Sequence, residues 1–174
     1  MIAKSFTATE VPVRAPVSVV IATRNAQPIL PVALRALGEG LNAGLLRELI
    51  ICDTGSTDAT QKIAEAAGAQ IVQGDLAEGI ACAKGHWLMV LPAEAVLEDG
   101  WTDAVARALH APHRYCFHRA RGQAGLGHLV CTGSNLWTRF TGRSGLRHGL
   151  LVPRADVGRS GRVKLLSARL FDQD

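Results

Sequence analysis

Aromatic side chains are scarce in this chain: 4 Phe, 3 Trp and 1 Tyr make up 5% of 174 residues. The core must therefore be built from Ala, Val, Leu and Ile, and a surface that stacks nucleic-acid bases on interleaved aromatics is not foreseen. Cysteine is equally thin. Cys52, Cys82, Cys116 and Cys131 are widely spaced with no CxxC pair, which excludes a disulfide framework and fits a reducing compartment. No apolar run approaches the ~20 residues that cross a bilayer. The N-terminus has no basic stretch followed by an apolar one, so no signal peptide is expected and the cytoplasm is the expected location. Internal repeats, low-complexity tracts and linkers are also missing.

What remains is an ordinary globular composition, 48% hydrophobic and 20% charged, in a length suited to one domain. Residues 1–16 read as a leader broken by Pro12 and Pro16, and residues 17–174 as a single domain. Strands are expected at 17–22, 48–52, 70–72 and 86–91. Between them the pattern predicts helices: one opened by Pro28 and Pro31 and ending near Gly38 or Gly40, one capped by Ser56, Thr57 or Asp58 and ending at Gly68, and a third over 76–84. A fourth helix is expected over 97–110, with Trp101, Val105 and Leu109 at a spacing of four. Strands alternating with helices at this interval imply βαβ units and a mainly parallel sheet. Past Pro112 the pattern suggests strands at 114–119, 150–153 and 163–166 and a helix over 129–141.

The informative segment is 17–58. The buried-strand run Val17-Ser18-Val19-Val20-Ile21-Ala22 leads into Thr23-Arg24-Asn25. A second strand, Leu49-Ile50-Ile51-Cys52, ends in Asp53-Thr54-Gly55-Ser56-Thr57-Asp58. Carboxyl ends of strands in open α/β sheets are where ligands bind. Asp53 could accept hydrogen bonds from a base and ribose, or it could satisfy the amides of its own turn. Arg24 could pair with a diphosphate or stand exposed in a loop.

These segments, continued through His86-Trp87-Leu88-Met89-Val90-Leu91 to Trp101, resemble the inverting family 2 glycosyltransferases of GT-A fold, whose pattern runs roughly V-S-V-V-I-P-T-x-N and then V-D-D-G-S-T-D. The resemblance implies an α/β fold, a single GT-A-like domain with a mainly parallel central sheet flanked by helices. It implies a nucleotide-binding half over 17–111 and a basic acceptor-side half over 112–174. It further implies a nucleotide-sugar substrate, UDP-linked by expectation, with Thr23, Arg24, Asn25, Asp53, Gly55 and Ser56 at the nucleotide. Members of the family place Asp-x-Asp after the fourth strand to hold Mg²⁺ or Mn²⁺. Here that stretch reads Leu91-Pro92-Ala93-Glu94-Ala95, leaving Glu94 as the metal ligand in a weakened site. The segment Arg147–Arg154 resembles the strand beside the acceptor, and beyond it Asp156 is the nearby carboxylate available as catalytic base. Two functions follow. One is sugar transfer to an unknown acceptor. The other is a scaffold that has lost transfer chemistry and serves as a binding or assembly subunit.

Charge is split along the chain. Residues 1–104 hold 7 Lys/Arg against 12 Asp/Glu, and residues 105–174 hold 12 against 3, with five of the six His. The basic half suits an acidic protein partner, an anionic surface or the donor's diphosphate, for which Arg139, Arg143, Arg147 and Arg154 are candidates; alternatively it is a solvated face. Nucleic acid is not expected, and a homo-oligomer stays open. His110, His113, Cys116 and His118 supply metal-binding residue types, but their spacing matches no closed zinc pattern, and a helix end followed by a half-buried strand accounts for them.

Overall fold

The computed structural model describes residues 15–111, 113–120, 149–157 and 163–172. In chain order the elements are β1 (Val17–Thr23), α1 (Leu30–Asn42), β2 (Leu46–Asp53), α2 (Thr60–Ala66), β3 (Gln70–Gln73), α3 (Leu76–Cys82), β4 (Trp87–Pro92), β5 (Ala95–Leu97), α4 (Trp101–Leu109), β6 (Arg114–Ala120), β7 (Leu150–Pro153) and β8 (Val163–Asp172). Among the described residues these strands form one sheet in the order β3-β2-β1-β4-β7-β6-β8-β5. The first four are mutually parallel, as the βαβ reading required. Beyond β4, strand β7 runs antiparallel, β6 turns back beside it, β8 lies parallel to β6, and β5 closes the row antiparallel to β8.

β1 sits in the middle of the parallel part and is buried on both faces, which is why its sequence is a continuous apolar run rather than an alternating one. Val17, Val19 and Ile21 face the cluster under α1, α2 and α4, while Val20 faces the cluster under α3. Each such side chain contributes about 1.5–3 kcal/mol on burial, so this strand anchors the domain. Ser18, fully buried on the α3 face, donates to Glu48 Oε1 at 2.5 Å and accepts the Gly85 N–H at 2.8 Å. Two glycines set helix-to-sheet distances. A methyl at Gly79 in α3 would run into Cys52 Sγ and come within 3.1 Å of Val20, and one at Gly40 in α1 would enter the Trp101 ring.

Besides shifts of one or two residues, as at β2 and α3, element boundaries depart from the sequence reading in four places. α1 runs through Gly38 and Gly40 to Asn42, because Gly40 is needed inside the helix to admit Trp101; the chain reverses only at Gly44, φ +66°. α2 begins at Thr60 with Ala59 at the N-cap, so none of the three expected residues caps it, although Asp58 accepts the Thr60 N–H at 2.9 Å in a side-chain turn just before the helix. The helix expected over 97–110 begins at Trp101; Ala95–Leu97 is a strand, and Gly100 at φ +81° separates the two. Glu39 seals that junction by accepting the Gly100 N–H and the Thr102 hydroxyl, and the Thr102 bond holds its carboxyl below the usual range. β8 extends to Asp172 instead of stopping at 166. The helix expected over 129–141 lies outside the described residues.

Candidate functional site

In a sheet ordered 3-2-1-4, the chain leaves β1 towards β2 and later crosses back to set β4 on its other side, and the carboxyl ends of strands at such a switch point are where open α/β sheets bind ligands. Parallel pairing sets Thr23 level with Asp53 across β1 and β2, and Ala22 level with Pro92 across β1 and β4. The loops after β1 and β2, which carry all the expected nucleotide-binding residues, therefore meet at one edge.

They are stitched together. The Thr54 N–H reaches Thr23 O at 3.1 Å and its hydroxyl reaches the same oxygen at 3.2 Å. Asn25 adopts φ +51°, a left-handed conformation that asparagine tolerates, and its N–H donates to Ser56 Oγ at 2.8 Å. The Asn25 side-chain oxygen accepts the Thr57 N–H at 2.8 Å. The Ala26 N–H meets Thr60 Oγ1 at 2.8 Å, the Gln27 N–H meets Asp58 Oδ2 at 3.1 Å, and Gln27 Oε1 takes the Ala59 N–H at 3.1 Å.

Asp53 lies at the centre of this lacework and is 1% exposed. Its Oδ1 accepts from the Ser56 hydroxyl and from Thr23 Oγ1 at 3.4 Å; its Oδ2 accepts the Ser56 N–H at 3.1 Å and Gln61 Nε2 at 2.6 Å. Burial pushes its carboxyl pKa up, but the bonds from Ser56, Gln61 and Thr23 together outweigh burial and leave it lowered. A carboxylate offers about four acceptor positions, and here Ser56 and Gln61 donors take three, with the Thr23 hydroxyl shared between Asp53 and Cys52 O. The turn-satisfying use weighed for Asp53 is present in this geometry. Arg24, Thr54 and Gly55 are the exposed rim, and Gly55, φ +90°, borders open space.

Glu94 stands half-buried in the two-residue turn between β4 and β5, at this same edge. Among the described residues no three Asp, Glu, His or Cys side chains gather to hold a metal ion. A cation cage built by the protein does not fit this donor set. A magnesium ion carried by a diphosphate and keeping several waters does fit a single carboxylate.

Asp156 is not at this edge. β7 runs antiparallel to β4, with Leu150 opposite Val90 and Pro153 opposite Trp87, so the chain leaves β7 at the amino end of β4. The Arg154 N–H donates to His86 O at 2.8 Å, fixing the 3-10 turn Arg154–Asp156 there. The length of β4, about 3.3 Å per residue, separates Asp156 and Arg154 from Glu94. The carboxylate-bearing residue that topology does bring to Glu94 is Asp172: β8 ends at the carboxyl edge with Asp172 opposite Ala95. No sequence signal pointed to it, because only the strand order puts β8 beside β5. Gln61 and Thr60 were also unforeseen, although an Asp two residues before a Thr is a side-chain-turn signal that could have found Thr60. Arg139, Arg143 and Arg147 lie outside the described residues. His110 and His113 are exposed at a helix end and strand start, and Cys116 is fully buried in β6.

The family model of glycosyl transferase family 2 matches residues 18–166. A TPR repeat-containing protein of Synechococcus elongatus is 32% identical over 124 residues, 66% of this chain and 29% of that relative. S. aureus TarS 1–349 superposes with a TM-score of 0.67 at 12% identity, over 91% of this chain and 60% of that one, and it has also been solved with UDP-GlcNAc. Glucosyl-3-phosphoglycerate synthase of Mycobacterium tuberculosis, solved with Mn²⁺, UDP and glucosyl-3-phosphoglycerate, gives a TM-score of 0.56 at 17% identity, covering 81% of this chain and 57% of that one. This chain thus spans 29% of the curated relative and about three-fifths of the solved structures. The fold is GT-A, and with the match running from β1 into β8, this chain belongs to glycosyl transferase family 2.

Proposed function

We propose that the chain binds a nucleotide-activated sugar, UDP-linked in the first instance, at the carboxyl edge of β1, β2 and β4, and transfers the sugar to an acceptor. The observation that supports this most is the prefolded junction of the two loops, where Thr23 and Asp53 are strand partners and a run of hydrogen bonds fixes the backbone before any ligand arrives. A preorganised rim spends little ordering entropy on binding. Arg24, with Thr54 and Gly55, faces the nucleotide; Thr23, Asn25, Asp53 and Ser56 hold that rim in place. Glu94 is the residue that would touch a Mg²⁺ or Mn²⁺ ion brought by the diphosphate, and such an ion when bound would offset the charge of the leaving group. For inverting transfer a base must take the acceptor proton. That role moves from Asp156 to Asp172, the carboxylate-bearing residue placed beside the Glu94 turn.

A second reading is favoured by Pro92, which stands where the family pattern has its first metal-binding Asp: binding without transfer. Calorimetric titration of UDP, with and without Mn²⁺, separates the readings when joined to a donor-hydrolysis assay. Micromolar binding strengthened by Mn²⁺ and weakened in Glu94→Gln, with turnover of a UDP-sugar, supports transfer. Binding indifferent to Mn²⁺ and no turnover supports the scaffold. Absence of binding to any nucleoside diphosphate refutes transfer and leaves the assembly-subunit reading.

A further inference from the structure

We infer that this site selects its donor by the diphosphate and discriminates poorly among nucleobases, because its two loops offer no carboxylate to the base; this rests on the nucleotide-sugar reading above. A carboxylate facing the base favours uracil and guanine, which present a ring N–H, over adenine and cytosine, whose corresponding ring nitrogen is an acceptor. Three carboxylates could be supposed to do this here; those of the two loops are committed to the loops themselves, and the third, after β3, caps α3. Asp53 is buried and accepts from Ser56, Thr23 and Gln61. Asp58 accepts the Gln27 and Thr60 N–H groups and the Thr60 hydroxyl. Asp75 caps α3 by accepting the Ala77 and Glu78 N–H groups, and the Glu78 side chain closes that box on the Asp75 N–H. Residues 121–148 contain neither Asp nor Glu, so that segment adds none.

Set against V-D-D-G-S-T-D, Asp53 takes the first aspartate position and Thr54 the second. Thr54 is exposed, and both its N–H and its hydroxyl are directed to Thr23 O. The hydroxyl rotates: with its proton on Thr23 O it offers a lone pair to a ring N–H, and turned outward it offers the proton to a ring nitrogen while Thr23 O keeps the Thr54 N–H, so a neutral Thr54 favours no base strongly. Exposed Arg24, always charged, is indifferent to the base and suited to a diphosphate.

The test is competitive binding of UDP, GDP, ADP and CDP to the full chain, repeated on Thr54→Asp and on Thr54→Asn as the uncharged control of similar size. The parent should bind all four within about tenfold of one another. Thr54→Asp should move the ratio of UDP and GDP to ADP and CDP by on the order of tenfold, the effect of one charge-assisted bond, and Thr54→Asn should not. Selectivity above tenfold for UDP in the parent overturns the inference while leaving nucleotide binding intact. An unchanged ratio in Thr54→Asp overturns the placement of Thr54 at the base. If none of the four binds, the nucleotide-sugar reading fails and the inference with it.

Discussion

Replacing Asp53 by Ala tests whether its carboxylate is the brace between the two loops. The substitution strands four donors: the Ser56 hydroxyl and N–H, Gln61 Nε2 and the Thr23 hydroxyl. Their losses are unequal. The Thr23 contact is long at 3.4 Å, and that hydroxyl keeps Cys52 O as an acceptor, so it counts for little. Gln61 and Ser56 are half-buried and recover some water. Bonds to an ionised group contribute about 1.5–3 kcal/mol each, and the desolvation of Asp53 offsets part of the total, leaving a net loss of about 3 kcal/mol. For a domain of this size that lowers Tm by roughly 6–12 °C.

The pH dependence sharpens the test. Asp53 has a folded pKa below its unfolded one, near ~3.9. Its contribution is therefore fully present above the unfolded value and is lost as pH falls through the folded value. Urea unfolding at pH 7 should show the full deficit of Asp53→Ala, and the gap to the parent should narrow below about pH 4. A deficit that stays constant down to pH 3, or one below about 1 kcal/mol at pH 7, would refute the carboxylate brace.

Three more outcomes follow from the packing. Gly79→Ala should destabilise by about 1–3 kcal/mol despite alanine's better helix propensity, since the new methyl collides with Cys52 Sγ; a stabilised variant in denaturant unfolding would mean that α3 lifts freely. Cys52, whose thiol is pushed up to about 11 chiefly by burial, should resist alkylation at pH 8 in the folded protein, and peptide mass spectrometry finding it modified at the rate of a free thiol would contradict its place under α3. Glu39→Ala removes the acceptor at the start of α4 and should cost about 1 kcal/mol at pH 7. Because its carboxyl is lowered, that cost should shrink as pH falls below about 4, and no change on acidification would count against the bond to Thr102.

The parallel half of the sheet was legible because burial on both faces forces a continuous apolar strand, and because glycine and proline punctuate each crossover. Legibility failed where local signals competed. Gly38 and Gly40 look like a helix stop, yet the space above Gly40 belongs to Trp101, sixty residues away in chain order and invisible to a local reading. Leu97 reads as the first residue of the amphipathic helix expected over 97–110, whereas it closes the strand Ala95–Leu97; its partner, the end of β8, decided the matter.

Site residues posed a different problem. Residue type at a strand's end tells which loop a side chain belongs to, but not on which side of a hydrogen bond it is used. Asp53, Asn25 and Ser56 are all polar and all at the expected edge, and each is turned inward to its neighbours. For Asp156 the missing quantity was strand direction. A strand that follows a long excursion can enter the sheet from either end, and β7 enters antiparallel, so Leu150 lies toward the ligand edge and Arg154–Asp156 at the far one. Reversing β7 alone would exchange those two sets without altering a single residue. The same logic makes the last residues of β8 informative: β8 runs parallel to β4, so whatever follows Leu170 arrives where Glu94 stands. In the transfer reading a carboxylate there would act by position, independent of any motif around it. Removing it by Asp172→Asn should therefore reduce turnover of a UDP-sugar while leaving UDP affinity unchanged, and equal loss of both would assign Asp172 to binding instead of proton transfer.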